Sequence, residues 1–383
     1  MPEVLPGWRS ELSEELAGLK SKNLFRSLPA SDAGLLDFSS NDYLGLSLKT
    51  SIRSQAAAAV RRYGSGSGAS RLISGNLPIH EALEKKIAKF KGEEAALVFS
   101  SGYLANLGAV TSLVDERDIV ILDRLNHASL VDAARLSRAK LWVYSHNDVD
   151  ALREILGRAG DFRRRLVVTD AYFSMDGDIA PLDRLLTLCE ETDSILMIDE
   201  AHSTGVFGKK GHGLTEHFGL QGRVPVVMGT LSKALGSVGG FIAGSALLKD
   251  ALINRARSFI YTTAPVPAAS AAALASLEWI EKNPEALRRF HKLIKEVRNE
   301  LRENGFDLMN STGPIVPVLI GDSGKALRFR DFLKTRGLFV PAVRPPTVPK
   351  GTDRLRISLK ATHTRPQIGR LIAALREARE KIR

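Results

Sequence analysis

At 383 residues, 44% hydrophobic and 25% charged, the chain is too long for one ordinary core and reads as two unequal globular domains, with no apolar run of about 18 residues to span a membrane. Its 54 Lys and Arg against 43 Asp and Glu leave a net charge of +11. The basic residues are interleaved with Glu, as in residues 288–300 (R-R-F-H-K-L-I-K-E-V-R-N-E), which predicts solvated helix faces rather than a nucleic-acid surface, although part of the excess is available to steer a polyanionic substrate.

The N-terminus lacks the basic start and apolar run of a secretory signal, and residues 8–20 predict a short amphipathic helix. K-N-L-F-R-S-L-P and F-S-S-N-D-Y-L-G-L read as loops, the second carrying Asn41 and Asp42. Residues 51–63 predict an Ala-rich helix ending at Gly64. A glycine-dense loop, Y-G-S-G-S-G-A-S-R-L-I-S-G-N, leads to a second helix, with Pro78 in its first turn and Gly92 as its stop. Strands and helices then alternate: A-A-L-V-F-S, a helix after Gly102, I-V-I-L-D, a helix from about Ala128, L-W-V-Y, and D-V-D-A-L-R-E-I-L. L-V-V-T-D, the helix P-L-D-R-L-L-T-L-C-E-E, and the strands ending at Asp199 and Thr230 follow. The lone cysteine, Cys189, lies in that helical pattern and reads as core; without a disulfide partner it fits a reducing, cytoplasmic setting.

This rhythm predicts an α/β fold with a mostly parallel seven-stranded sheet covered on both faces. G-G-F-I-A-G is its last strand, with direction left open. Residues 268–303 predict helix broken near Pro284, followed by strand (I-V-P-V-L-I), helix (K-A-L-R-F-R-D-F-L-K), strand (R-L-R-I-S-L) and a final helix. The expected organisation is an N-terminal segment over 1–45, a large α/β domain over 46–285 and a smaller α+β domain over 286–383.

Two stretches carry the chemistry. S-I-L-M-I-D-E-A-H delivers Asp199 and His202 from one apolar run, and V-P-V-V-M-G-T-L-S-K-A-L-G delivers Thr230, Ser232 and Lys233 from another. Carboxyl ends of strands line the ligand crevice of an open α/β sheet, so an acid, an imidazole and an amine are expected to converge. That trio suits pyridoxal 5′-phosphate (PLP), held as a Schiff base to a lysine with an acid at its ring nitrogen. Singly, each residue has a plainer reading: a surface-loop lysine, an aspartate capping the next helix, a packed histidine. The Thr230 and Ser232 hydroxyls and the flanking glycines tip the balance for Lys233. S-S-G-Y-L-A-N offers backbone N–H groups at Gly102 and Tyr103 to a phosphate, with a plain helix start as the competing reading. His127 follows one strand end, where it could stack on a flat ring; Ser174 follows another.

N-D-Y-L-G-L, G-S-G-A-S-R-L-I-S-G, H-N-D-V, F-S-M-D-G-D, D-E-A-H-S-T-G-V-F-G, T-L-S-K-A-L-G and R-P-P-T-V-P-K-G-T-D-R-L-R-I-S-L together span nearly the whole chain. In these motifs the chain resembles the α-oxoamine synthases, PLP-dependent acyltransferases of fold type I. The resemblance implies Lys233 as Schiff-base lysine, Asp199 as ring-nitrogen partner and His127 as stacking imidazole. It also implies Ser174, His202 and Thr230 as cofactor ligands and Gly102 and Tyr103 as phosphate ligands. Arg26, Thr347 and Arg356 would bind substrate, Arg356 gripping the amino-acid carboxylate with two prongs. It further implies a homodimer with shared sites, in which residues 261–264 (Y-T-T-A) reach the partner's phosphate unless they are an ordinary loop. R-P-P-T-V-P-K-G favours the biotin-forming branch, which joins L-alanine to a pimeloyl thioester, over glycine- or serine-using relatives.

Other classes lack their required context. D-E-A-H also occurs in ATP-driven helicases, but no G-x-x-x-x-G-K-[ST] loop precedes it. G-S-G-S-G-A at 64–69 meets a loose dinucleotide pattern, yet follows a helix rather than a strand. His202, His212 and His217 have no recognised metal-ligand spacing.

Overall fold

The computed structural model describes residues 7–22, 24–26, 28 and 34–382; residues 1–6 and parts of the K-N-L-F-R-S-L-P loop lie outside them. The apolar runs in the middle of the chain form one sheet. Its strands are β1 (Ala95–Phe99), β2 (Ile119–Asp123), β3 (Lys140–Tyr144), β4 (Arg165–Asp170), β5 (Ile195–Asp199), β6 (Val226–Thr230) and β7 (Gly240–Gly244). Their spatial order is β1-β7-β6-β5-β4-β2-β3. β2, β3, β4, β5 and β6 pair in parallel, whereas β7 is antiparallel to both β6 and β1. The reversal has a simple cause. Parallel neighbours need a long crossover, and β6 is joined to β7 only by the short loop Leu231–Gly239.

The strand interiors are continuous apolar runs because helices cover both faces. Leu97, Val120, Leu122, Val168, Met197 and Met228 are buried with Ala105, Ala109, Leu130 and Phe259 in one cluster. Helix ends follow local chemistry. Ser101 caps the helix Gly102–Leu113 by accepting from Leu104 N at 3.2 Å. Gly92 stops the helix Pro78–Lys91 in the left-handed conformation (φ 74°) that a side chain would disfavour. Two helices not expected from the sequence, Ala246–Arg255 and Arg257–Ile260, follow β7; Ser245, which accepts from Leu248 N at 3.1 Å, was the available start signal.

The chain divides differently from the expected 1–45, 46–285 and 286–383. One unit comprises Asn41–Ile294 with Lys360–Thr362, and the other comprises Met1–Ser40, Lys295–Leu359 and His363–Arg383. The helical stretch does break near Pro284, where one helix ends at Lys282 and the helix Pro284–Glu303 begins with the proline in its first turn, but the division between units falls later, inside that second helix. The segment before Asn41 is not independent. Leu36 and Asp37 pair in parallel with Leu338 and Phe339, and the Phe38 ring packs on His363 at 4.3 Å. The smaller unit also holds an antiparallel sheet of Ile315–Leu319, Arg354–Ser358 and Ala342–Val343. Among the described residues no helix is long and apolar enough to cross a membrane.

Candidate active site

In the larger unit, strands β4, β5 and β6 end at Asp170, Asp199 and Thr230. Asp170 and Asp199 are register partners on neighbouring parallel strands. With residues of two helix starts and the β6–β7 loop they line a cavity of about 250 Å³. Its walls include Gly102, Tyr103, Asn106, His127, Ser129, Asp170, Asp199, His202, Thr230, Ser232 and Lys233.

Asp199 is buried, and each of its oxygens has a donor: Ala201 N at 2.8 Å and Asn106 Nδ2 at 2.8 Å. Asn106 Nδ2 also donates to Ser129 Oγ at 2.9 Å, and that hydroxyl lies 2.7 Å from His127 Nδ1. Ser129 N donates to the same ring nitrogen at 3.2 Å. His127 Nδ1 is therefore held as an acceptor. Burial lowers the imidazole pKa, the Asp199 charge opposes this and the Lys233 charge reinforces it. The result is a neutral ring beside an anion. Asp170 accepts from His127 N at 2.9 Å, and its carboxyl is pushed well above the usual range by burial and then by Asp199. Two adjacent carboxylates do not both ionise readily, and here burial and the Asp199 charge both favour the protonated form of Asp170.

Lys233 is half-buried in a loop folded on itself. Leu231 N donates to Gly239 O, Ser237 N to Leu231 O and Gly236 N to Lys233 O, each at 2.9 Å. Thr230 Oγ1 anchors the loop's far end through Gly239 O at 2.8 Å and lies 2.8 Å from Ser232 Oγ. The start of the helix Gly102–Leu113 is pressed against the sheet: a Cβ on Gly240 would fall 2.6 Å from Gly102 Cα, and one on Gly102 2.9 Å from Met228 Cε. Glycine at both positions seats that helix end at the cavity. His202 is buried, its Nδ1 2.7 Å from the Tyr43 hydroxyl. Ser174 is half-buried in the turn after β4.

The structure thus brings Gly102, Tyr103, His127, Asp199, His202, Thr230 and Lys233 to one cavity. Arg26, Thr347 and Arg356 belong to the smaller unit. There Arg26 Nη2 donates to Thr347 Oγ1 at 3.1 Å, and buried Arg356 donates from Nη1 to Ser358 Oγ at 2.9 Å. In the Tyr261–Ala264 segment, Thr263 O accepts from Ser100 Oγ at 3.3 Å and Ala264 N donates to Ala69 O at 3.0 Å. Cys189 is buried and its thiol is pushed up to about 12, again by burial, which suits a core residue. His212 packs on Phe90 and His217 on Phe218; among the described residues no cluster of His, Cys, Asp and Glu could hold a metal.

Sequence reasoning passed over Tyr43, Asn106, Ser129 and Asp170. Asp170 had the same signal as Asp199, an acid closing an apolar strand. Asn106 lies about one turn beyond Gly102, on the helix face that a ligand at the helix start would meet.

The family model for aminotransferase class I and II matches residues 33–375. A protein from Geobacter sulfurreducens named 8-amino-7-oxononanoate synthase is 46% identical over 378 residues, covering 95% of this chain and 96% of its own. One of the same name from Cellvibrio japonicus is 48% identical, covering 89% and 86%. Among solved structures, a serine palmitoyltransferase from S. paucimobilis with PLP bound aligns with a TM-score of 0.92 at 29% identity, covering 99% of both chains. The 8-amino-7-oxononanoate synthase of Francisella tularensis aligns with a TM-score of 0.80 at 29% identity, covering 91% of this chain and 99% of that one. The chain belongs to the aminotransferase class I and II family, in its α-oxoamine synthase branch.

Proposed function

We propose that the chain is a PLP-dependent acyltransferase that condenses L-alanine with a pimeloyl thioester, on CoA or a carrier protein, giving 8-amino-7-oxononanoate, CO2 and the free thiol. The observation that carries this reading is the cavity itself, where an anionic Asp199, a neutral His127, the Lys233 loop and a seated helix start share one small space. The names of these two relatives support alanine over glycine.

The donor set fits PLP. Asp199 is charged and oriented by two donors, so it can face a ring N–H. Buried Asn106 Oδ1, without a partner among the described residues, suits a ligand-facing wall. Thr230, Ser232 and the N–H groups of Gly102 and Tyr103 suit a phosphate, and His127 offers an uncharged face to an aromatic ring. Ser174 and His202 are assigned to the ring's polar substituents. When bound, PLP supplies an aldehyde for an amine and an electron sink for charge developed at the neighbouring carbon.

The residues do the rest. Lys233 anchors the cofactor and, once displaced by the incoming amino group, its amine takes the α-proton of alanine. Arg356, with Arg26 and Thr347, binds substrate, its guanidinium matched to a carboxylate. The α-carbon bonds to the thioester carbonyl carbon as the thiolate leaves, the carboxyl group departs as CO2, and a proton takes its place on the α-carbon. Asp199 keeps its negative charge fixed throughout. We assign the working form as a cytoplasmic homodimer in which Tyr261–Ala264 reaches the partner's phosphate.

The test is product analysis with alanine, glycine and serine, each offered with a panel of acyl-CoAs including pimeloyl-CoA. Alanine with pimeloyl-CoA should give 8-amino-7-oxononanoate. Exclusive use of glycine would overturn the substrate assignment.

A further inference from the structure

H-N-D-V and the acidic end of F-S-M-D-G-D have no part in the chemistry above, yet the structure ties them together. His146 lies between two carboxylates, with Nδ1 2.9 Å from Asp123 Oδ1 and Nε2 2.8 Å from Asp178 Oδ2. A neutral imidazole has one N–H and could donate to only one of them; serving both requires a proton on each nitrogen. Asn147 completes the grip. Held in the left-handed region (φ 56°), it donates from N to Asp123 Oδ2 at 2.8 Å and from Nδ2 to Asp178 Oδ2 at 3.0 Å. The Phe173 ring packs perpendicular to the imidazole, with centroids 4.4 Å apart.

Each of these aspartates belongs to one loop of the cofactor site, Asp123 through its carboxylate and Asp178 through its backbone carbonyl. Asp123 ends β2 and accepts from Leu125 N at 2.8 Å, shaping the turn that delivers His127. Asp178 closes the turn that carries Ser174: Phe173 N donates to Asp178 O at 3.0 Å and Gly177 N to Phe173 O at 2.8 Å. We infer that His146 is a positioning residue for the cofactor site, an imidazolium clamp that locks the His127 loop to the Ser174 turn. This rests on the reading that His127 and Ser174 contact PLP. Burial opposes a charge on His146, but the bonds to Asp123 and Asp178 outweigh it and push its pKa up to about 10. Removing the cation leaves two like charges bridged, among the described residues, only by Asn147, so the lock between the loops weakens.

The test is PLP titration of the PLP-free chain. His146→Gln should weaken PLP binding about tenfold or more, the scale of one charge-assisted hydrogen bond. The double variant His146→Gln/Asp178→Asn, which relieves the repulsion, should recover most of the loss. Nitrogen-15 NMR of the unmutated protein at pH 8, with and without PLP, should find both His146 nitrogens protonated. An unprotonated ring nitrogen there, or PLP binding within twofold of the parent in His146→Gln, would overturn the clamp. Ser174→Ala separates the two readings. Parent-like binding in that variant with weakened binding in His146→Gln would remove Ser174 from the site and leave the clamp acting through His127. Weakened binding in Ser174→Ala alone would leave the site and remove the clamp.

Discussion

Replacing Asp199 by Asn tests the electrostatic design of the cavity most sharply. The two side chains have nearly the same shape, but Asp199 accepts from Ala201 N through one oxygen and from Asn106 Nδ2 through the other, both at 2.8 Å. An Asn can accept only one of these bonds and turns an N–H₂ toward the other donor. One buried donor is then left unsatisfied, which costs about 1–3 kcal/mol. PLP binding suffers separately, because the anion facing the ring nitrogen is gone; loss of a hydrogen bond to a charged group, about 1.5–3 kcal/mol, weakens binding by roughly one to two powers of ten. The neighbours should respond as well. Asp199 raises the pKa of both His127 and Asp170, so both should titrate lower in the variant. Urea unfolding of the PLP-free protein, PLP titration and NMR titration of His127 read these three effects. Parent-like stability, PLP affinity and His127 titration together would refute the account of Asp199 as the fixed anion.

Further outcomes follow from the packing around the site. Gly240→Ala would place a methyl 2.6 Å from Gly102 Cα; backbone cannot yield as a side chain does, so about 1–3 kcal/mol of stability should be lost and PLP affinity with it, by urea unfolding and titration. Lys91 and Glu200 form a fully buried ion pair, and Lys91→Met leaves the Glu200 carboxylate without its cation, with only Thr215 N among the described residues still donating to it, a loss of about 3–5 kcal/mol that denaturant curves would reveal. His80 is buried between Ser67 and Ser270, its pKa lowered to about 4 by burial and then by Arg71. The unfolded chain takes up that proton near pH 6.5 and the folded one only near 4. Stability should therefore fall as pH drops between those values, by at most about 3 kcal/mol, and His80→Gln should flatten that part of the pH–stability curve.

Much of this was legible because local rules and the global fold agree. The seven strands and their alternating helices were visible as short apolar runs separated by turn residues and helix caps. Pro78 and Gly92 bound their helix as their backbone preferences require. Asp199 and Lys233 stood out because a polar residue closing an apolar strand has few reasons to be there. What stayed hidden depends on neighbours distant in sequence. The direction of β7, open in the sequence, is antiparallel, and the boundary near Ile294 sits inside a helix with no compositional mark. The Asp170–Asp199 pairing exists only because β4 and β5 lie side by side in register. Asn106 and Ser129 had ordinary helix positions, and only the folded arrangement joins them into the relay from Asp199 to His127.

The central claim is that the Lys233 amine holds the cofactor. Incubating the chain with PLP, reducing with borohydride and mapping the adduct by peptide mass spectrometry tests it directly. The account predicts a phosphopyridoxyl group on Lys233 and its disappearance in Lys233→Ala. An adduct on a different lysine, or none on a protein that stays colourless with PLP, would contradict it.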